Sequence, residues 1–219
     1  MPFYSMTILF HGPSGSGKDT QVELLVQKYS FENIGTGEMF RKMYSEGDLD
    51  AIRAYEYYSK GKFVPNDIVY KMFTKWLEKF DISKDWALVS VVRDIGQVQM
   101  LDDLLAAKGR KLDKFVHFTL SEEVAIERRA LRWICSNCGS TYHEKYKQEK
   151  IKGYCDKCGT ILTQRVDDTP EKTKSLLSEY NRTIAPILEE YRNRGILVEV
   201  DANPTIEEIH TNVVKVLNL

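Results

Sequence analysis

Residues 3–10, FYSMTILF, are a short, mainly apolar run closed by a glycine-rich turn, which predicts a first strand buried on both faces. After the turn the period changes. Val22, Leu25, Val26 and Tyr29 recur at i, i+3, i+4 and i+7, so a helix packed through those four side chains is expected. Residues 31–34 predict a short second strand. Asn66 is the expected N-cap of a longer helix carrying Ile68, Val69, Met72, Phe73, Trp76, Leu77 and Phe80 on its inner side. Residues 86–92 predict a buried strand and 98–107 a helix; 115–120 and 196–200 predict two more strands, each followed by a helix. Thr169 before Pro170 reads as an N-cap with proline at the first helical position, and Pro186 should kink the helix that follows. Strands alternating with helices imply an α/β fold with a parallel sheet covered on both faces.

Two stretches break this rhythm. Residues 35–64 are short and helical, and residues 133–165 hold all four cysteines, several turn residues and no long apolar run. They predict two small insertions on one core made of residues 1–34, 65–132 and 166–219. A chain of 219 residues, 42% apolar and 29% charged, suits such a core. The net charge of −1 gives no global attraction to nucleic acid or anionic membrane. No apolar run approaches the roughly 18 residues of a membrane span. The opening MPFYSMTILFHG lacks a basic segment and a cleavage site, so it reads as a strand and not as a signal peptide. A cytoplasmic chain with reduced cysteines is expected.

Gly12 to Lys18 fits G-x-x-x-x-G-K between a strand and a helix. Glycines there let backbone N–H groups converge on phosphate oxygens, the helix start adds positive potential, and the lysine reaches the outer phosphates. The next position, where a hydroxyl commonly meets Mg²⁺, is Asp19, followed by Thr20. Asp19 is either a metal-facing acid or a first-turn acid favouring the helix dipole. Cys135-x-x-Cys138 and Cys155-x-x-Cys158, each followed by glycine, have the spacing of a closed four-thiolate structural zinc site. His143 nearby reads as a surface or nucleotide-stacking residue. Residues 128–165 carry nine Lys/Arg against three Asp/Glu, which suits a flap over polyphosphate or a ribbon touching nucleic acid. Arg41, Arg93, Arg128, Arg132 and Arg165 are candidates to converge on phosphate, since phosphoryl transfer needs cations and water exclusion more than covalent catalysis. Asp167 and Asp168 either approach the helix start or hold neighbouring arginines. His11 and His117 are assigned no chemistry.

Together GPSGSGKDTQ, IGTGEMFR, GKFVPNDIV, the lid-like CDKCGTILTQRVDD and NRTIAPILEEYRNRGILVEVDA resemble, nearly end to end, an adenylate kinase of the long-lid, zinc-binding type. The resemblance implies a P-loop nucleoside monophosphate kinase fold with a helical AMP-binding insertion and a zinc-bound lid. It implies that Lys18 binds the transferred phosphate. Gly15, Ser16, Gly17, Asp19, Thr20, Arg128, Arg132, Thr141 and Tyr142 would lie on the ATP side. Thr36, Arg41, Lys62, Phe63, Val64, Arg93 and Gln97 would hold AMP, and Arg165 would bridge the two. Lys18, Arg93, Arg128 and Arg165 would be the catalytic set. Zinc is the implied structural metal and magnesium the companion of ATP. The implied form is a monomer that binds neither nucleic acid nor membrane.

Four positions depart from the family pattern. Asp19 and Gly35 replace a glycine and a serine. VSVVR replaces DGFPR, so Val89 stands where the family has a magnesium-orienting acid. Leu176 stands where it has a phosphate-clamping arginine, with Lys172 one turn earlier. Mg²⁺ binds mainly through phosphates and water, so loss of the acid removes an orienting group and not the ion. Asp19 is the candidate replacement. The expected reaction is ATP + AMP ⇌ 2 ADP. The alternatives are another nucleoside monophosphate kinase, a degenerate nucleotide-binding module, and a zinc-ribbon nucleic-acid binder with an ATPase core.

Overall fold

The computed structural model describes residues 5–59 and 64–219. In chain order the elements are β1 (Thr7–His11), α1 (Lys18–Tyr29), β2 (Glu32–Gly35), α2 (Thr36–Ser45), α3 (Leu49–Tyr58), α4 (Asn66–Leu77), β3 (Trp86–Val89), α5 (Gly96–Ala106), β4 (Lys114–Thr119), α6 (Glu122–Ala130), β5 (Arg132–Cys135), β6 (Thr141–His143), β7 (Leu162–Thr163), α7 (Pro170–Asn193), β8 (Leu197–Asp201) and α8 (Ile206–Leu217). The main sheet has the order β2-β3-β1-β4-β8 and every pair is parallel.

Alternation along the buried strands sends side chains to two apolar layers. Ile8, Phe10, Ala87, Val89, Val116 and Phe118 pack with Val22 and Leu25 of α1 and with Ile209 and Val213 of α8. Leu9, Trp86, Leu88 and Phe115 pack on the other face against α4, α5 and α7. Met39, Met43, Ala51 and Ala54 carry α2 and α3 into that second layer. The second small sheet, β6-β5-β7, is antiparallel and has its own cluster of Cys135, Tyr142, Cys155 and Leu162, with Trp133 against it.

Three local expectations change. Val26 and Tyr29 lie at the exposed edge of α1, and Gln21 is buried in their place. The cause is α8, which offers a polar partner: Gln21 donates to the Ile206 carbonyl at 3.0 Å and its oxygen meets His210 at 3.2 Å. Pro65, not Asn66, occupies the N-cap position of α4. The Asn66 amide serves Gln97 and Asp94 instead. β3 stops at Val89, because Ser90 turns into a left-handed conformation at φ 53°. Phe3 and Tyr4 of the expected first strand lie outside the described residues. At α7 the cap is as expected: Thr169 accepts from the Lys172 N–H, Pro170 opens the helix, and it runs on through Pro186 to Asn193. Among the described residues no helix is long and apolar enough to cross a membrane.

Candidate active site

The phosphate loop leaves β1 where the backbone must pass close to β4. A Cβ at Gly12 would meet both Phe118 Cβ and Ser16 Oγ at 2.8 Å, so only glycine fits. Gly15 and Gly17 take φ of 95° and 76°, which turns the chain into the start of α1. The loop floors a cavity of about 440 Å³ lined by Ser14, Gly15, Gly17, Lys18, Asp19 and Thr20. Ser16 lies beneath it, fully buried. The Lys18 ammonium is held below its ordinary pKa by burial, opposed by Asp19 and reinforced by the charges of Arg132, Arg93 and Arg165.

All five arginines singled out in the sequence line this one cavity. Arg132 is fixed by a two-pronged contact with Asp168, Nε to Oδ2 at 3.0 Å and Nη2 to Oδ1 at 2.6 Å, and it reaches Ser14 Oγ at 3.2 Å. Arg128 donates to the carbonyls of Ala202 and Pro204 at 2.7 and 3.0 Å and stands over the Tyr146 ring. Arg129, which the sequence did not single out, is 2% exposed and bonds to Asp168 Oδ1 at 3.0 Å and to the Asp167 carbonyl at 2.8 Å. The acidic pair therefore holds arginines, and the buried Asp168 carboxylate serves two of them.

On the opposite wall stand Thr36, Arg41, Val89, Ser90 and Arg93. Thr36 donates to the Ser90 carbonyl at 3.2 Å. Gln97 is buried behind this wall, where its amide oxygen accepts from the Arg93 N–H at 2.8 Å and its nitrogen donates to Asn66 at 2.9 Å. Val64 packs against the main core, and Lys62 and Phe63 lie outside the described residues. Val89 brings no acid to the cavity, whereas the Asp19 carboxylate stands in it, exposed and 3.8 Å from the Lys18 ammonium. An exposed carboxylate beside the phosphate loop fits a magnesium ion reached through water. Leu176 lines a second cavity of about 330 Å³ together with Gly12, Ser14, Arg93 and Arg129. Lys172 is exposed and stands outside it; Arg129 brings the cation to that wall instead.

The four cysteine sulfurs lie within 4.8 Å of one another. The chain reverses twice in the same way: Gly139 N–H bonds to the Cys135 carbonyl at 2.9 Å and Gly159 N–H to the Cys155 carbonyl at 2.8 Å, with φ of 75° and 71°. Sulfurs about 2.3 Å from one tetrahedral ion stand roughly 3.8 Å apart. The Cys135–Cys158 and Cys138–Cys155 separations of 3.4 and 3.5 Å fit that set. Thr141 and Tyr142 reach the cavity wall from β6. The Tyr142 hydroxyl accepts from the Asp156 N–H at 2.7 Å and lies 3.5 Å from Cys155 Sγ, tying the knuckle to the site. His143 is 9% exposed, accepts from the Lys145 N–H at 3.1 Å and stacks on Tyr146, so it is not a surface residue. The cysteine-bearing segment lies against α1 through Glu23, which pairs with Lys147 at 2.5 Å and Lys157 at 3.1 Å.

Sequence reasoning missed Arg129, Glu23 and the contacts of His11 and His117. His11 and His117 stand opposite each other in adjacent strands, and Tyr180 bridges them. A polar residue at an inner position of a buried strand was the available signal, since it must find a partner.

The adenylate kinase family model matches residues 10–196. The chain is similar to the adenylate kinase of Carboxydothermus hydrogenoformans, at 36% identity over 95% of this chain and 97% of the relative. It is likewise similar to the adenylate kinases of Clostridium tetani and Archaeoglobus fulgidus, each at 34% identity over 97% of this chain and 98% of the relative. Matches of this extent span the phosphate loop, the cysteine-bearing lid and α7 together, and the chain belongs to the adenylate kinase family.

Proposed function

We propose that the chain transfers the γ-phosphoryl group of ATP to the phosphate of AMP, giving two ADP. The observation that carries this reading is the convergence of Lys18 and five arginines, from separate stretches of sequence, on one cavity floored by the phosphate loop. Transfer breaks the bond between the γ-phosphorus and its bridging oxygen and forms a new one to an AMP phosphate oxygen, without a covalent enzyme intermediate. Lys18 and the arginines neutralise the spreading charge. Arg128, Arg132, Thr141 and Tyr142 serve ATP; Thr36, Arg41 and Arg93 serve AMP; Arg165 stands between. Residues 35–64 act as the acceptor domain and residues 133–165 as a zinc-stapled lid that excludes water. Magnesium would sit on the nucleotide phosphates with Asp19 as its protein carboxylate, and would supply charge neutralisation there. The enzyme works as a cytoplasmic monomer.

The test is ADP formation from ATP with AMP, CMP, UMP and GMP as acceptors, for the wild type and Asp19→Gly across a magnesium titration. AMP should be the preferred acceptor, and Asp19→Gly should raise the magnesium requirement about tenfold. A preferred pyrimidine acceptor would make the protein another nucleoside monophosphate kinase. Absence of transfer to every acceptor would leave a nucleotide-binding module, and an unchanged magnesium titration would remove Asp19 from the metal.

A further inference from the structure

β1 ends at His11, directly before the phosphate loop, and pairs in register with His117 of β4. Both imidazoles are buried and face α7, where the Tyr180 ring lies nearly parallel to each, at interplanar angles of 18° and 17°. Four contacts form a line. His11 Nε2 is 2.9 Å from the Val92 carbonyl, and His11 Nδ1 is 2.9 Å from the Tyr180 hydroxyl. The Tyr180 hydroxyl is 3.1 Å from His117 Nε2, and His117 Nδ1 is 3.4 Å from Glu199 at the surface.

The direction of each bond follows from its inner end. A carbonyl only accepts, so the His11 proton is on Nε2. Burial and the nearby charges of Lys18, His117 and Arg93 hold the His11 pKa down to about 3, so the ring is neutral and Nδ1 is a lone pair. Tyr180 therefore donates to His11, and having one proton it must accept from His117 Nε2–H. The chain is set from Val92 outward as far as His117: neutral and protonated on Nε2, that ring turns a lone pair toward Glu199, so the 3.4 Å approach there is not a hydrogen bond.

The segment it anchors needs anchoring. Residues 90–93 leave β3 through Ser90, a non-glycine residue at φ 53°. Three side chains from three elements hold them: Thr36 on the Ser90 carbonyl, His11 on the Val92 carbonyl, and Gln97 on the Arg93 N–H. Arg93 then lines the cavity.

We propose that His11 is a positioning residue for the acceptor side of the site: its Nε2–H fixes Val92 and with it Arg93, and the Tyr180 hydroxyl takes up the Nδ1 lone pair that this tautomer leaves. The proposal rests on reading Arg93 as an acceptor-phosphate residue. Two measurements separate its parts. Long-range proton–nitrogen correlation spectra of the wild type should show His11 protonated at Nε2 between about pH 5 and pH 8; protonation at Nδ1 would overturn the chain. Calorimetric nucleotide titrations should show His11→Leu weakening AMP about tenfold and ATP less than about twofold. His11→Gln, whose amide N–H can meet Val92, should recover most of the loss. Equal weakening of both nucleotides, or no change for AMP, would overturn the positioning role. If wild-type AMP binding is absent, the acceptor reading and the positioning role fall together, and the tautomer result stands apart from both.

Discussion

At the scale of single residues, protonation sets a direction for acid stability. All four histidines have pKa values lowered chiefly by burial, His11 to about 3 and His117, His143 and His210 in the same sense. In the unfolded chain each takes a proton near pH 6.5. Between that value and the folded one the unfolded state binds more protons, so stability is full above about pH 6.5 and falls as pH drops toward the folded values. A tenfold difference in proton affinity between the folded and unfolded chain is worth about 1.4 kcal/mol. The urea midpoint should therefore be clearly lower at about pH 5 than at about pH 7; an equal or higher midpoint at the lower pH would contradict the buried-neutral assignment. The cysteines were legible in the sequence because their spacing names their chemistry; the five cavity arginines were read only with the help of the family resemblance, and Arg129 was not. His11 was not, because its partner Tyr180 lies 169 residues away and only the fold joins them.

At the scale of elements, the cysteine-bearing segment has little packing of its own, and a metal on its four sulfurs would hold it. β7 has two residues, and the lid's apolar cluster has four buried members, two of them cysteines. Such a unit has too little core to hold itself, and zinc binding would supply the folding free energy. Chelation should speed amide exchange in β5, β6 and β7 while β1 and β4, in the middle of the main sheet, stay protected. Unchanged exchange in the lid, or equal loss in both sheets, would contradict this division. Helix starts such as Thr169–Pro170 could be read locally, because a cap needs only its own first turn. The end of β3 and the buried side of α1 could not. Ser90 is held by Thr36, 54 residues earlier, and Gln21 is turned inward by Ile206, 185 residues later.

At the scale of the whole molecule, the parallel sheet places the ends of β1, β2 and β3 beside one another. The phosphate loop, the wall of Thr36, Ser90 and Arg93, and the cysteine-bearing segment thus meet outside the carboxyl edge of the strands, where open α/β sheets bind ligands. The alternation of strands and helices made the parallel sheet legible in advance. The closing contacts were not: Glu23 on α1 with Lys147 and Lys157 of the lid, and Asp168 shared by Arg129 and Arg132, join groups that look like ordinary surface charges in the sequence. With Val89 where the family has an acid, the cavity is cation-lined and keeps Asp19 as its carboxylate at the phosphate loop. As proposed, this cavity moves phosphate between two nucleotides and not to water. Phosphorus NMR of ATP and AMP with catalytic amounts of the protein and magnesium tests it most directly. Two ADP should form for each ATP and AMP consumed, with no inorganic phosphate; inorganic phosphate accumulating in step with ADP, or unchanged spectra, would contradict transfer between nucleotides.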